Sequence, residues 1–436
     1  MKLVGSVVLA AAVSALACGC ATVGERTLSV EDYRDKMAGA WIGQSVGVAY
    51  GAPTEFKRTA ELVPESMLPE WKPEMVNGTF SQDDLYVEMT FLDTLDRRGI
   101  DVTAREAGID FANSRYRLWC ANWNGRNNLR SGLAPTACSH PKHHATTDDI
   151  DYQIEADYSG IVSPGCPARV IRLGDQFGRL MNYGDGLYAG IFMGAMYAEA
   201  YFENDRVKTV EAGLASIPAE SRYAEMVRDM LRWYRENPSD WQSAWRKARE
   251  KYGRKDSPMI GQVSWFGIDC KINGAMVLLG YLWGEGDVFK TMYISTRGGY
   301  DSDCNPSSAL GVLGVQIGAK GFEPKYVSAL DRTKTWEFTD YNYPKLLEKC
   351  EKLTRQMVVA DGGRVEVRDG RERFVIPAGN RPVAAFEDSR TPGPCGDEKL
   401  TDAENARIRY RPCKDQGSQS EERGSSNRND TLMLPL

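Results

Sequence analysis

The chain has 436 residues, enough for one large domain or two smaller ones. Its residues are 42% apolar, and its formal net charge is -6 with a pI near 5.5. No basic stripe stands out, so the charge balance argues against nucleic acid as a main partner. A small acidic substrate is still compatible with this balance, because a local arginine cluster is enough to hold one.

The N-terminus has the pattern of a targeting segment, predicted over residues 1–20. Lys2 precedes an apolar run over residues 3–16, and a small residue then stands directly before Cys20. This pattern resembles a bacterial lipoprotein processing site, with Cys20, or alternatively Cys18, as the lipidated residue. An ordinary cleaved signal peptide is the other interpretation. Both predict export, to the periplasm or, for a lipoprotein, to the outer membrane or cell surface, with the lipid anchor as the only membrane contact.

Glycines recur along the first predicted helix. Ser29 is the predicted N-cap, and the helical pattern continues until Pro53, after which Glu55 lies in a loop. Glycines every four residues line one helix face, which lets another helix or a loop approach very closely. These glycines are Gly39, Gly43, Gly47 and Gly51.

An acidic pair opens the next helical pattern. Helical spacing runs on from Leu85, and Ser81 is the predicted N-cap, so Asp83 and Asp84 fall in the first turn. The helix dipole favours carboxylates there, so capping explains the pair as well as chemistry does.

A second acidic pair lies in the stretch 298–306. Two glycines free the backbone, Asp301 and Asp303 share a tight turn, and Pro306 is suited to the first turn of a helix that reads as buried. Paired carboxylates anchored to a buried helix are costly unless something positive neutralises them. A divalent metal is one interpretation, and a charged turn with a cap is the alternative.

Residues 113–160 form an irregular, polar segment. Arg126, Asn128 and Arg130 are candidates for gripping a phosphate or a sugar. Asp157 has apolar neighbours, which predict partial burial and make it a candidate catalytic carboxylate. The amides, aromatics and charges of this segment predict a recognition loop for a polar ligand with ring faces, such as a sugar.

The element pattern predicts one compact all-α domain over residues 28–355. A small β-hairpin follows in residues 361–390, where alternating residues flank an Asp-Gly turn. Residues 391–436 contain few apolar residues and are predicted to be disordered. Cys120 and Cys138 are a candidate disulfide if the chain is exported.

Taken in this order, the motifs resemble the ADP-ribosylglycohydrolase family. Its members show a glycine ladder running into G-x-P-x-E, then T-D-D at a helix start, then G-G-D-T-D before a small-residue helix. The matching stretches here are Gly47 to Glu55, Gln82 to Asp84 and Gly298 to Asn305. The resemblance covers residues 31–330 and implies an orthogonal bundle of many helices.

The resemblance also implies an activity and a cofactor. Members of the family hydrolyse the bond between ribose C1 and a protein side chain or another ADP-ribose, using two Mg²⁺ ions or sometimes Mn²⁺. Glu55 matches the family's loop glutamate and is the predicted acid or base. Gln82 and Cys304 stand where the family usually has threonines. The implied metal positions are Gln82, Asp83, Asp84, Asp301, Asp303 and Cys304.

Three functions stay open at this point. The first is hydrolysis of an ADP-ribosyl or related ribosyl bond, with an ADP-ribosylated substrate. An exported protein meets little ADP-ribosylated protein of its own cell, so the second is an exported carbohydrate or N-glycoside hydrolase. The third is a non-catalytic sugar-binding lipoprotein. Gln82 and Cys304 favour it because both depart from the family's threonines, and the thiol of Cys304 is a poor ligand for a hard cation. The four matched aspartates favour a retained metal.

Overall fold

The computed structural model describes residues 24–253, 267–379, 381–396 and 398–412. The predicted signal segment lies outside these residues, as does the end of the predicted tail from residue 413. Helices make up most of the described chain, and three short strands form one sheet, which confirms the all-α prediction. Over the described residues, every helix is too short or too polar to cross a membrane.

Eight helices precede residue 201 in the described chain. They are α1 Val30–Gly51, α2 Asp83–Arg98, α3 Ala104–Ala112, α4 Cys120–Arg130, α5 Asp151–Ile154, α6 Asp157–Ile161, α7 Pro167–Gln176 and α8 Asp185–Ala200. Those that follow are α9 Arg206–Leu214, α10 Arg222–Glu236, α11 Trp241–Tyr252, α12 Cys270–Trp283, α13 Val288–Arg297, α14 Cys304–Ile317, α15 Pro324–Val327, α16 Tyr343–Ala360 and α17 Asp402–Asn405. Short 3₁₀ turns cover Ala52–Thr54, Glu65–Met67, Pro73–Ser81, Ala137–Ser139, Gly178–Leu180 and Ala319–Gly321.

Helix α1 packs backbone against backbone on α14 and the turn before it. Its N-cap is Ser29, as predicted, whose hydroxyl accepts from the Asp32 N–H. A Cβ added at any ladder glycine would lie 2.0 to 2.3 Å from a carbonyl oxygen of that partner segment, so no side chain fits. The pairs are Gly39 with Gly314, Gly43 with Leu310, Gly47 with Pro306 and Gly51 with Ser302. This contact brings the end of α1 to the acidic turn.

A second small-residue helix, α8, lets the acidic segment 148–157 enter the core. A Cβ on Gly190 would lie 2.2 Å from the Tyr152 ring, and one on Gly160 would lie 2.1 Å from the Gly194 oxygen. Helices α5 and α6 therefore lie directly against α8, and the carboxyl groups that they carry are removed from solvent.

The sheet joins the two ends of the domain. Strands β2 (Arg364–Arg368) and β3 (Arg371–Pro377) form the predicted hairpin, and β1 (Glu25–Ser29) pairs antiparallel with β3. Phe374 on β3 is buried against Tyr33 of α1, with ring centroids 5.3 Å apart. The hairpin is therefore part of the domain, because it needs β1 and α1 to cover its apolar face.

Residues 381–396 and 398–412 return across the domain surface. Arg179 pairs with Glu387 at 2.8 Å, and Leu400 is buried, with its N–H donating to the Gly132 oxygen at 2.8 Å. The structure thus differs from the predicted disorder over residues 391–396 and 398–412. A low apolar content does not reveal a few long-range contacts of this kind.

The cysteines in the described part of the chain are free thiols. The candidate Cys120–Cys138 disulfide is therefore not formed.

Candidate metal centre

The turn before α14 is anchored on two sides. Gly299 and Tyr300 have positive φ angles of 73° and 62°, which reverse the chain. The Tyr300 N–H donates to the Arg58 oxygen at 2.8 Å, and the Asp301 N–H donates to Asn273 Oδ1 at 3.2 Å. The loop after α1 and the start of α12 thus hold the two aspartates in place.

The two predicted acidic pairs meet at this turn. Donor atoms of Asp301, Asp303 and Cys304 lie within 4.8 Å of one another, and all three residues are buried. The Cys304 thiol donates to Asp84 Oδ1 at 3.2 Å, so the start of α2 faces the start of α14. Asp83, beside it, is half-buried.

The electrostatics of the cluster favour neutralisation. Burial, followed by the charge of Asp303, raises the pKa of Asp84 well above its usual range. Burial likewise raises the pKa of Asp303, and it raises the pKa of Asp301 to about 8. Several carboxylates buried this close together must take up protons or a cation, because unpaired charge is costly in the protein interior.

The side chains present fit a hard divalent cation. Asp84 Oδ2, Asp301 Oδ1 and Asp303 Oδ1 are buried without a hydrogen-bond partner. Carboxylate oxygens are the ligands that Mg²⁺ prefers, whereas the soft Cys304 thiol suits it poorly. Cys304 therefore fits best as the group that holds Asp84. Gln82 is the half-buried N-cap residue of α2, and its side chain does not cap the helix.

Glu55 lies at the rim of the cluster. It follows the 3₁₀ turn that ends α1, and the contact of Thr54 Oγ1 with Ser302 Oγ at 2.8 Å fixes this segment to the acidic turn. The charge of Asp303, then burial and the charge of Asp83, raise the pKa of Glu55 to about 9. Its side chain is nevertheless exposed, so a ligand can reach it. The catalytic role of Glu55 stays a prediction.

Asp157 is bonded to two core helices, and its predicted catalytic role stays a prediction. Its Oδ2 accepts from the Tyr197 hydroxyl at 2.7 Å and from Ser308 Oγ at 3.2 Å, and burial raises its pKa to about 7. These partners belong to α8 and α14, so Asp157 fastens two core helices. The apolar neighbours of Asp157 correctly indicate that it is buried, but they do not indicate which helices its side chain faces.

Glu155 is the carboxyl group that the sequence analysis missed. It is buried, its Oε1 accepts from Asn122 Nδ2 at 2.8 Å, and its Oε2 has no partner. Burial first, and then the charges of Asp83, Asp149 and Asp84, raise its pKa well above the usual range. Glu155 and Asp157 lie in the same acidic run, so the sequence alone does not separate them. In the structure they differ in their partners, because Glu155 accepts from Asn122 of α4.

Two other acids of the same run cap helix α4. Asp149 Oδ2 accepts from the Ala121 N–H at 2.6 Å, and Asp151 Oδ2 accepts from the Asn122 N–H at 2.6 Å. Carboxylates stabilise a helix start by bonding its free N–H groups and by facing its dipole. These two residues therefore have a structural explanation.

The three predicted substrate residues on α4 bond to the protein's own backbone. Arg126 donates to the Tyr116 oxygen at 2.7 Å, and Arg130 donates to the Ala112 oxygen at 2.9 Å. Asn128 Nδ2 donates to the Cys138 oxygen at 2.8 Å. Buried guanidinium groups need such acceptors, so these contacts have a structural explanation, and the role of the three residues in gripping a phosphate or sugar stays a prediction.

A family model described as ADP-ribosylglycohydrolase matches residues 29–356. The chain belongs to the ADP-ribosylglycohydrolase family. Membership confirms the resemblance found in the motifs, and it supports a hydrolase of the ADP-ribosylglycohydrolase type with a small-molecule or modified substrate. Among curated proteins, no sequence matches the chain. A solved structure titled "ADP-ribosylglycohydrolase-related protein complex" is 16% identical, covering 75% of this chain and 99% of that chain, with a TM-score of 0.43.

Proposed function

We propose that this ADP-ribosylglycohydrolase-family protein hydrolyses a glycosidic bond at a site that holds two Mg²⁺ ions, with Mn²⁺ as a possible substitute. The observation that carries the proposal is the set of unpartnered, buried carboxylate oxygens on Asp84, Asp301 and Asp303. Family membership favours a ribosyl bond, ADP-ribosyl or related. An exported carbohydrate or N-glycoside hydrolase with the same site is the second candidate.

The chain's own residues have distinct roles in this proposal. The four aspartates of α2 and the acidic turn would hold the ions, which supply positive charge that orients sugar hydroxyls and stabilises charge at the breaking bond. Glu55, exposed at the rim beside Asp303, moves a proton at the glycosidic oxygen or nitrogen. The α1–α14 contact keeps Glu55 at a fixed position relative to the aspartates, and such positioning is itself catalytic.

Hydrolysis of a substrate panel tests the proposal. ADP-ribosyl-arginine, ADP-ribosyl-serine and neutral glycosides are incubated with the protein in Mg²⁺ or in EDTA, and the released sugars are measured. We expect release that needs Mg²⁺ and falls by about 10² in Glu55→Gln, the usual contribution of a general acid or base. Glu61→Gln, an exposed glutamate in the following loop, is the matched control. Turnover that survives both EDTA and Glu55→Gln would refute the proposal.

We also propose that the chain is exported as a lipoprotein through Cys20. The support is the apolar run after Lys2 and the small residue before Cys20. Partition into the detergent phase should be lost in Cys20→Ala and kept in Cys18→Ala. The reverse result would move the lipid to Cys18, and an aqueous wild type would indicate an ordinary signal peptide.

A further inference from the structure

We propose that Asn273, in the first turn of α12, is a positioning residue that fixes the backbone of Asp301 and so makes the candidate metal centre selective for Mg²⁺ over the larger Ca²⁺. The inference rests on the proposed function for the ion itself. It deepens that function, because it names the buried amide that keeps the acidic turn rigid and the property of the ion that this rigidity selects.

The buried side chain of Asn273 bonds in two directions. Its Nδ2 donates to the Gly267 oxygen at 2.7 Å and to the Asp269 oxygen at 3.0 Å. Its Oδ1 accepts from the Asp301 N–H at 3.2 Å and from Asn305 Nδ2 at 2.9 Å. This is the full capacity of an amide, which has two N–H donors and two acceptor lone pairs. The orientation of Asn273 is therefore determined completely by its partners.

The hydrogen bonds around Asp301 close into a ring. Its N–H donates to Asn273 Oδ1, and its carbonyl oxygen accepts from the Asn305 N–H at 3.1 Å. The side chain of Asn305 then returns to the same Oδ1 of Asn273. Both backbone polar groups of Asp301 are thus held, so the carboxylate leaves the chain from a fixed point at the start of α14.

The segment on the other side of Asn273 is itself anchored in the core. Asp269 is the N-cap of α12, where its side chain accepts from the Lys271 N–H at 2.9 Å. The buried ammonium of Lys271 pairs with the same carboxylate at 3.0 Å. Asp269 also forms an isolated β-bridge with Asp149, which caps α4. Asn273 therefore ties the acidic turn to a part of the domain that is held by several partners.

A rigid Asp301 favours Mg²⁺. Asp301 Oδ1 is buried and has no hydrogen-bond partner, so its place depends on the backbone that carries it. The turn has little room to shift, because a Cβ added at Gly298 would lie 2.5 Å from the sulfur of Met276, on the same helix as Asn273. Mg²⁺ needs near-ideal octahedral ligands at short distances, whereas Ca²⁺ accepts longer and more irregular ones. Loosening Asp301 should therefore reduce the preference for Mg²⁺.

Titration calorimetry of the full chain with Mg²⁺ and, separately, with Ca²⁺ tests the inference. Asn273→Leu removes the four hydrogen bonds and keeps a similar side-chain volume. We expect it to weaken Mg²⁺ binding by about 10- to 100-fold, the usual effect of removing a group that orients a metal ligand. Ca²⁺ binding should weaken less, so the preference for Mg²⁺ over Ca²⁺ should fall by about tenfold.

Asn182→Leu is the matched control. Asn182 is also buried, accepts from the Tyr152 N–H at 3.0 Å and donates to the Thr147 oxygen at 2.9 Å, so its printed partners lie in the acidic segment and not in the turn before α14. The variant should lower stability but leave both dissociation constants at their wild-type values. If a leucine variant does not fold, Asn273→Ala and Asn182→Ala are compared in the same way.

The two ions separate the outcomes. Dissociation constants in Asn273→Leu that match wild type, or that rise by the same factor for Mg²⁺ and Ca²⁺, would overturn the inference, while Mg²⁺ binding by wild type would leave the proposed function standing. If wild type binds Mg²⁺ selectively through Asn273 but cleaves no bond in the substrate panel, the proposed function fails and the inference stands. If wild type binds no Mg²⁺, the proposed metal site and the inference both fail.

Discussion

The Cys304 thiol bonds one carboxylate oxygen of the candidate metal centre. Its thiol donates to Asp84 Oδ1 at 3.2 Å, which leaves Asp84 Oδ2 as the unpartnered atom. Burial raises the pKa of Cys304 well above its usual range, so the thiol stays protonated and acts as a donor. In the proposed metal site, the Cys304 side chain would orient Asp84 without adding a hard ligand of its own.

Replacing Cys304 by threonine tests that interpretation. A hydroxyl donates to Asp84 equally well and is also a harder ligand, so Cys304→Thr should raise Mg²⁺ affinity by about tenfold, or ~1.4 kcal/mol. Titration calorimetry measures the change. Cys350→Thr, another buried thiol, serves as the control. A loss of Mg²⁺ binding in Cys304→Thr would show that the thiolate itself is a ligand.

Asp157 gives a pH-dependent contribution to stability. Burial raises its pKa to about 7 in the folded protein, above the value of about 3.9 in an unfolded chain. The folded state thus binds the proton more tightly, so this contribution is complete below pH ~4 and is lost as the pH rises through ~7. Asp157→Asn mimics the protonated group, so its stability should not depend on the titration of this residue. In wild type, that titration lowers the unfolding free energy by up to roughly 1 kcal/mol per pH unit, and this part of the fall should be absent in Asp157→Asn.

Urea unfolding at pH 5 and pH 7 measures the effect of Asp157→Asn. Glu404→Gln is the control, because a hydrogen bond from Arg105 lowers the pKa of Glu404 to about 2, below this pH window. The same fall in unfolding free energy in wild type and Asp157→Asn would show that Asp157 is not protonated in the folded protein.

At the scale of elements, the α1–α14 contact determines the geometry of the site. The glycine spacing correctly predicts a close approach on α1, and the small residues after Pro306 predict one on the second helix. What the spacing does not reveal is that these two faces are partners, since nothing local connects them. The role predicted for Glu55 therefore depends on the family resemblance and not on the glycine spacing.

A single methyl group in the ladder should disturb the fold and the site together. A Cβ at Gly47 would lie 2.3 Å from the Pro306 oxygen, and neither backbone can move without its helix. We expect Gly47→Ala to lower the unfolding free energy by about 3 kcal/mol. Gly78→Ala, whose Cβ would have no neighbour nearer than 4.0 Å, is the control. Equal stability of the two variants in urea would contradict the packing described.

Helix α4 shows why the orientation of several candidate residues could not be predicted from the sequence. Polar residues in a helical pattern are ordinarily solvent-facing, so Arg126 and Arg130 looked available for a ligand. The helix is instead covered by residues 112–116 on one side and capped by the acids of α5 and the preceding loop on the other. The acceptors of Arg126 and Arg130 lie 10 and 18 residues earlier in the chain, and the two capping acids lie 28 and 29 residues after the N–H groups that they bond. Local helical patterning does not contain these contacts.

For the whole molecule, the ends of the chain complete the domain. Strand β1 pairs with β3, although the two strands lie far apart in the sequence. Residues 381–396 pass α8 and the acidic segment, where Tyr188 donates to the Ala385 oxygen and Ser389 donates to Asp148. The fold class and the hairpin were predictable because they depend on local periodicity. The third strand and the course of the C-terminal residues were not, because each depends on distant partners.

Ser389 tests whether the C-terminal residues support the acidic segment. Its hydroxyl donates to Asp148, which directly precedes Asp149, the cap of α4. Ser389→Ala should lower the unfolding free energy by about 1 kcal/mol and speed amide exchange around Asp148. Thr391→Ala, whose hydroxyl contacts only Asp388 among the hydrogen bonds described, is the matched control. Unchanged amide exchange around Asp148 in Ser389→Ala would show that the C-terminal residues do not support the acidic segment.

The central claim is that the aspartates of α2 and of the turn before α14 form a divalent-metal site, and Mg²⁺ titration calorimetry tests it most directly. Wild type should bind Mg²⁺, and Asp303→Asn should lose that binding, because it removes a buried, unpartnered oxygen ligand. Asp369→Asn is the control, since Asp369 is an exposed carboxylate at the hairpin turn with a φ of 53°, which asparagine adopts readily. Equal Mg²⁺ binding by wild type and Asp303→Asn, or no binding by wild type, would contradict the claim.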